Sequence, residues 1–201
     1  MERAKQAPGW LKVLRGEELS ETEEYGISSY SYSSRKPFHP ERLANLLMDP
    51  VVMQDIVRAK GFFWLVNQHA ISISMSLAGK RLSFEKVSIW WAAINPKKRP
   101  PKSNREFHAW LKKIWKSPFG DRRNELVFIG TGFDKSRLAQ RLEQAQCTEL
   151  EWKHKDLWKT FNDPFPTWAP TSEAGEILEA AIGELSQPVH PTLESERLSP
   201  L

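Results

Sequence analysis

The sequence predicts an α+β fold in which a mainly antiparallel sheet carries helices packed on one face. Residues 71–77 alternate between apolar side chains and serine, as a strand does when one face is packed and the other is wet. The four residues 67–70 form a loop short enough to join this strand to the preceding one as a hairpin. Strand and helix patterns are interleaved along the chain, which favours a mixed fold over an all-α or all-β one.

Two strands and a helix are predicted before the strand at 71–77. Residues 25–34, rich in Tyr and Ser, suit a half-buried strand, and residues 58–66 have the apolar run of a buried one. Between them a helix begins at Pro40, because the missing N–H of proline is not needed in the first helical turn. This helix ends at Asp49, because the following proline disfavours the helical conformation there.

Local signals also place the elements after that strand. Residues 87–94 read as a further strand, and Ser103 with Glu106 has the spacing of a capping box that opens a helix. The remaining predicted elements are a strand over 125–129, a helix capped by Asp134, a helix opened by a second capping box of Thr148 and Glu151, and an amphipathic helix over 174–185.

Composition divides the chain into three parts: a linker or arm over 1–24, an α+β domain over 25–168, and an acidic tail with one amphipathic helix over 169–201. Residues 171–201 hold six Glu and one Arg. Residues 95–116, in contrast, hold eight Lys or Arg against the single Glu106. Such a basic run is typical of a solvated face, and alternatively it binds nucleic acid or an acidic surface.

Several classes of protein are excluded by composition. The 201 residues carry a formal net charge of +4 and one cysteine, so neither a disulfide framework nor a zinc site of several thiolates is possible. No run of about 18 apolar residues is present, so no membrane span is predicted and a cytoplasmic location is the default expectation. A phosphate-binding loop of the Gly-x-x-x-x-Gly-Lys-Ser/Thr type is also missing, and no catalytic residue is predicted.

Three isolated features have both a chemical and a structural interpretation. His39 stands where a strand gives way to a helix, so it caps that helix or, as a weaker candidate, binds a metal. Cys147 is either a nucleophile or a buried structural thiol, and the second reading is preferred. The Gly130-Thr131-Gly132 segment follows a strand as a dinucleotide motif does, but position 135 is Lys instead of Gly, so a tight turn is preferred.

Four basic residues lie beside predicted strands: Arg58, Lys60, Arg122 and Arg123. Asp121 adjoins the last two. In a structural role these side chains form ion pairs at the ends of the sheet. In a functional role they bind an anion or an acidic partner.

Four strings of residues, in this order and at these spacings, resemble one known family. They are Glu21–Ser29, Arg35–Leu43, Arg58–Leu65 and Phe119–Gly130. Together they are similar to the C-terminal domain of CobW-type GTPases, also described as zinc-chaperone or cobalamin-synthesis GTPases. The resemblance implies the α+β fold for residues 25–168.

The resemblance also implies a function, a non-enzymatic protein-interaction module in zinc or cobalt homeostasis. Members of the family begin with a GTPase domain that carries a phosphate loop, magnesium ligands and a Cys-x-Cys-Cys metal motif. This sequence contains neither the loop nor the cysteine motif, so zinc and GTP belong to a domain outside it and no cofactor is expected. The implied partner is a GTPase domain in trans or a metalloprotein client.

Several family positions carry over as candidate partner-binding residues: Phe38, His39, Glu41, Arg58, Trp64, Asp121 and Arg122. Three alternatives stay open beside this reading. The chain could be an orphan truncated fragment without activity. It could instead be a nucleic-acid-binding module that uses residues 95–116, or a weak zinc binder that uses His39 with carboxylates.

Overall fold

The computed structural model describes residues 26–168, so the predicted arm over 1–24, the acidic tail and its helix lie outside the described residues. The strands of the described part are β1 (Ile27–Ser34), β2 (Ile56–Phe63), β3 (Ile71–Ala78), β4 (Arg81–Ile89) and β5 (Asn124–Thr131). Its α-helices are α1 (Pro40–Met48), α2 (Pro50–Met53), α3 (Arg105–Ile114), α4 (Lys135–Ala145) and α5 (Glu149–Lys153). Short 3-10 helices cover Trp91–Ala93, Pro96–Lys98 and Lys155–Lys159.

The five strands form one sheet in the order β1-β5-β2-β3-β4, and every neighbouring pair is antiparallel. The last strand of the sequence, β5, is inserted between β1 and β2, so it pairs with both. The predicted hairpin of β2 and β3 is present, with Phe63 opposite Ile73. The antiparallel α+β fold predicted from the sequence is therefore confirmed.

The main core lies between one face of this sheet and the helices α1 and α4. From the sheet it takes alternate residues such as Phe63, Met75 and Phe128, all of which are buried. The helices contribute apolar residues at helical spacing: Leu43, Leu46, Leu47, Leu138, Leu142 and Ala145. Burial of these side chains is the dominant favourable term in folding, and it fixes which face of each element points inward.

The opposite face of the sheet is more polar. Arg58 and Lys60 on β2 are exposed there, and they lie on the same face as the serines of β3. Among residues 26–168, no helix is both long and apolar enough to cross a bilayer.

Two predicted strand boundaries are wrong. The strand predicted at 87–94 is β4, which begins at Arg81 after a two-residue turn at Gly79-Lys80 and gives way to a 3-10 helix at Trp91. The charged and polar residues early in β4 hid its start, because only one of its faces touches the core. The β2 strand ends at Phe63 rather than Val66, because residues 64–66 leave the sheet and are fully buried outside it.

Of the three α-helices that follow β4, two begin with the predicted cap and one does not. Asp134 caps α4 by accepting from the N–H of Arg137, and Thr148 and Glu151 form the capping box of α5. The predicted cap Ser103 is wrong, since Asn104 accepts from the N–H of Phe107 and begins α3. Asparagine caps helices at least as well as serine, so the neighbouring residue takes the role. The predicted helix after Thr148 is also shorter than expected, and a 3-10 helix follows it.

Candidate functional site

Three of the four resembling strings meet at one end of the sheet. β1 and β2 end there at Ser34 and Phe63, and the antiparallel β5 begins there at Asn124. The segments that leave these strands therefore lie side by side, and the chain after α4 packs on them. We call this region, residues 35–42, 64–69, 119–124 and 146–158, the sheet end.

Asn124 ties two of these segments together. Its side chain is fully buried, its Oδ1 accepts from the N–H of Trp64 at 3.0 Å, and its Nδ2 donates to the carbonyl of Lys36 at 2.7 Å. A buried backbone group without a partner costs free energy, so this amide satisfies two groups that no strand partner reaches. Asn124 thereby positions the residues on either side of it.

Phe38 is the centre of a second backbone junction. Its N–H donates to the carbonyl of Trp64 and its carbonyl accepts from the N–H of Val66, both at 3.1 Å. The N–H of Cys147 donates to Pro37 at 2.8 Å, which brings the chain after α4 against the same segment. The rings of Phe38 and Trp64 are both fully buried. These two buried rings position the exposed residues around them.

His39 occupies the residue before α1, but its side chain makes no capping hydrogen bond, so the capping prediction is wrong. The ring lies 4.3 Å from that of Phe161, and its Nδ1 is buried without a hydrogen-bond partner among residues 26–168. Burial, together with the charge of Arg42, lowers the pKa of His39, which favours the neutral imidazole. No group of three or more His, Cys, Asp or Glu in the described chain could hold a metal ion.

Arg42 joins α1 to the end of the domain. Its guanidinium donates to both carboxylate oxygens of Glu151, at 2.8 and 2.6 Å, and to the carbonyl of Gln146 at 2.8 Å. This two-pronged geometry is the strong form of an ion pair. Arg42 and the N–H of Thr148 hold the pKa of Glu151 down to about 2. The pair fixes α5 over the start of α1.

The pH dependence of stability follows from this pair. Because the folded pKa of Glu151 lies below its ordinary value of 4.5, its contribution is present above that pH and is lost as the pH falls through about 2. We expect Glu151→Gln to lose less free energy of unfolding than the wild type between pH 5 and pH 2. Urea unfolding at a series of pH values measures this. Glu149→Gln, at an exposed neighbour, should keep the wild-type slope, and an equal slope in Glu151→Gln would contradict the assignment.

Cys147 is buried, and burial raises the pKa of its thiol to about 12. The thiolate is the nucleophilic form, so the thiol is unreactive at neutral pH and the structural interpretation is favoured. We expect iodoacetamide to modify Cys147 at pH 8 at least about 100-fold more slowly in the folded chain than in urea. Mass spectrometry follows the reaction, and Leu150→Cys, which adds an exposed thiol, supplies the fast-reacting control. Equal rates for the two thiols would contradict this account.

Asp121 and Arg122 are adjacent in sequence but contact different parts of the structure. Asp121 is buried, and its carboxylate accepts from the N–H groups of Trp91 and Ala92 at 2.9 and 2.8 Å. Arg122 donates to the carbonyl of His69 at 2.6 Å, and its guanidinium lies 5.6 Å from the ring of Trp64. The predicted ion pairing at the sheet end holds for Arg123, which contacts Glu125 at 2.6 Å.

An aromatic cluster continues from Trp64 toward the surface. The ring of Trp152 packs edge-on against Trp64, and it stacks on Trp158 with centroids 5.3 Å apart. Beside this pair is a surface cavity of about 680 Å³ that Arg122 and His69 also line. The sheet end thus combines cations with aromatic walls.

The other two candidates are exposed, but only one of them lies at the sheet end. Glu41 is in the first turn of α1, within 3.5 Å of the amide of Asn162. Arg58 lies opposite Ala78 near the other end of β2, on the polar face of the sheet. The structure therefore does not bring Arg58 together with the other candidates. Gly130, from the predicted tight turn, lies within β5 against the backbone of Asp55.

The sequence analysis assigned no role to Asn124, Arg42, Glu151, Trp152 or Trp158. Asn124 and Arg42 belong to the resembling strings, and Glu151 was placed only as a helix cap. The hydrogen-bond partners of the Asn124 side chain and the two members of the Arg42–Glu151 pair lie 60 to 109 residues apart along the chain, a separation that no local sequence pattern reveals.

Comparison with known proteins decides the family. The family model described as "Cobalamin synthesis protein cobW C-terminal domain" matches residues 27–146. The chain belongs to the CobW C-terminal domain family. The resemblance of the four strings is thereby confirmed, and this CobW C-terminal domain has the antiparallel sheet described above.

Among relatives of the domain is the zinc-regulated GTPase metalloprotein activator 1 of Dictyostelium discoideum. It is 38% identical over 198 residues, which are 97% of this chain and 41% of that protein. A zinc chaperone of Mycobacterium tuberculosis is 28% identical over 145 residues, 71% of this chain and 35% of the relative. The chain thus spans less than half the length of either. The Zn(II)-bound YjiA GTPase from E. coli is 15% identical with a TM-score of 0.40, covering 62% of this chain and 31% of that one.

Proposed function

We propose that residues 26–168 act as a non-enzymatic interaction module in metal homeostasis, which recognises a GTPase domain or a metalloprotein client. The observation that carries the proposal is the convergence of three family strings on the sheet end. Buried groups there hold the backbone in place, while Lys36 and Glu41 stand exposed on it. A rigid base with charged side chains on its rim is a common design for a protein-binding surface.

The relatives support the metal-homeostasis part of the proposal. One is named a zinc-regulated GTPase metalloprotein activator and another a zinc chaperone. The chain spans 41% and 35% of these two proteins. In this proposal, a GTPase region lies in the part of each relative that the chain does not match. The module would bind such a region or the protein that receives the metal.

The use of titratable groups at the sheet end supports the non-enzymatic part. The Asp121 carboxylate accepts hydrogen bonds from two backbone N–H groups, and the Glu151 carboxylate accepts two from Arg42. The Cys147 thiol is held protonated by burial. These three groups, each of which could otherwise act as a base or nucleophile, are thus engaged in holding the fold.

The test is isothermal titration calorimetry of the full chain against a GTPase domain supplied as a separate protein. The domain is taken from the part of the Dictyostelium relative that this chain does not span, and its own binding of GTP shows that it is folded. Titrations are run with GTP, with GDP and with zinc. We expect saturable binding whose affinity depends on the nucleotide.

Matched charge swaps locate the surface. Lys36→Glu with Glu41→Lys leaves the net charge unchanged, and we expect it to weaken binding about tenfold. Lys80→Glu with Glu85→Lys, at exposed residues of the β3–β4 hairpin, should bind as the wild type does. A separate Arg58→Glu variant tests whether the polar face of the sheet contributes to binding of the GTPase domain. No binding in any nucleotide state, or equal weakening by both swaps, would contradict the GTPase-domain part of the proposal.

A second candidate function is favoured by one feature of α3. Trp110 is 47% exposed on this helix, and Lys112 and Lys113 are exposed beside it. An exposed aromatic among cations suits a single-stranded nucleic acid. Binding that falls steeply with salt and is lost in Trp110→Ala would support this function, whereas binding unaffected by that change would exclude residues 95–116 as the surface.

A further inference from the structure

The cavity beside the Trp152–Trp158 pair is lined by a combination of side chains that binding of a partner protein does not require. Its volume of about 680 Å³ falls in the range of roughly 300–1,000 Å³ that is usual for small-molecule sites. It lies between the 3-10 helix Lys155–Lys159 and the loops that hold His69 and Arg122. Its lining consists of cations, aromatic rings, Asn67 and the apolar residues Ala92 and Pro118.

The cations of the lining are Arg122, Lys153, Lys155 and Lys159. Within the described chain none of the four forms a salt bridge, and Asp156, in the same turn as two of them, is exposed and pairs with none. Among residues 26–168 the guanidinium of Arg122 donates only to backbone carbonyls, through Nε and Nη1, so its Nη2 is left for a further acceptor. Several cations and no carboxylate among the lining residues favour an anion.

Aromatic surface forms the walls of the same cavity. Trp152 and Trp158 are stacked, and the ring of His69 lies 5.5 Å from that of Trp158. Burial and the charges of Arg122 and Lys155 lower the pKa of His69, so at neutral pH this ring adds no positive charge. A flat ring is the group that such walls contact most fully.

We propose that this cavity binds a small organic anion, a flat ring that bears a phosphate or carboxylate group. Arg122, Lys155 and Lys159 hold the anionic group, and Trp152 and Trp158 contact the ring. The site goes beyond the interaction function proposed above, because its ligand is not a protein.

Calorimetry and ligand-observed NMR with defined probes test the site on the full chain. The probes are 4-aminophenyl phosphate and 4-aminobenzoate, which carry both the ring and the anion, with inorganic phosphate and aniline as the separate parts. We expect saturable binding of at least one ring-bearing anion, with a dissociation constant at least about tenfold below those of phosphate and aniline. Which of the two binds more tightly distinguishes phosphate from carboxylate.

Variants confine the binding to the cavity. Lys155→Gln with Lys159→Gln should weaken the better probe about tenfold, whereas Lys112→Gln with Lys113→Gln removes the same charge from α3 and should leave it unchanged. Trp152→Leu should bring the affinity of the ring-bearing probe close to that of phosphate. Thermal unfolding of each variant confirms that it is folded.

Three results would overturn the proposal. One is the absence of saturable binding for both ring-bearing anions, and another is phosphate binding as tightly as they do. The third is equal weakening by the two lysine pairs, which indicates a general response to net charge. Failure here is distinguishable from failure of the interaction function, because binding of the GTPase domain is probed by the Lys36 and Glu41 swap, outside the cavity.

Discussion

Replacing Gly61 with alanine is expected to lower the free energy of unfolding by about 3 kcal/mol or more. Gly61 lies in β2 between β3 and β5, with a φ of +148°. A Cβ at this position would lie 2.0 Å from the carbonyl oxygen of Glu125, so the two central strands would have to separate. Guanidinium unfolding measures the loss.

Gly79→Ala is the matched control for that change. Gly79 also has a positive φ, +60°, but nothing lies within 4 Å of an added Cβ. We expect a cost of about 1 kcal/mol there, from the backbone conformation alone. Similar losses for the two variants would contradict the claim that close approach of β2 and β5 requires glycine.

Asn124→Ala is expected to cost about 3 kcal/mol, because it leaves the buried N–H of Trp64 and the carbonyl of Lys36 without partners. Chemical denaturation gives the stability, and nuclear magnetic resonance of the Trp64 amide reports the junction directly. Asn124→Asp keeps the acceptor for Trp64 but loses the donor to Lys36, and it places a charge in a buried site, so it should not restore stability.

Asn45→Ala provides the control for side-chain removal. Asn45 is exposed in α1, where alanine has the higher helix propensity, so we expect little change or a slight gain. If Asn124→Ala were as mild as Asn45→Ala, the sheet end would not depend on this amide.

The fold was predictable where side-chain periodicity is strong. The alternation in β3 and the leucines of α1 follow from burial of one face, and both elements are found close to where the sequence placed them. The β4 strand was misplaced because its outer residues are polar and the apolar Trp91 and Ile94 that follow it belong to a different structure, a 3-10 turn. Local pattern cannot separate a strand from such a turn when both bury apolar side chains.

The site was predictable only as a set of segments. The family strings indicated which segments matter, but the order β1-β5-β2 that brings them to one edge is a property of the whole chain. Arg42 and Glu151 each look like ordinary helix residues in sequence, and only the packing of α5 over α1 makes them a pair. The cavity depends likewise on Trp152 and Trp158, to which the sequence analysis assigned no role, because contacts with distant segments bring them together with His69 and Arg122.

Hydrogen–deuterium exchange of the full chain, with and without the separate GTPase domain in its GTP-bound form, tests the central claim most directly. That claim is that the sheet end is the partner-binding surface. We expect slower exchange on binding in segments 35–42, 64–69 and 119–124, with no change in the hairpin turn at 78–81. Protection confined to that turn and to the polar face around Arg58, with the sheet end unaffected, would contradict it.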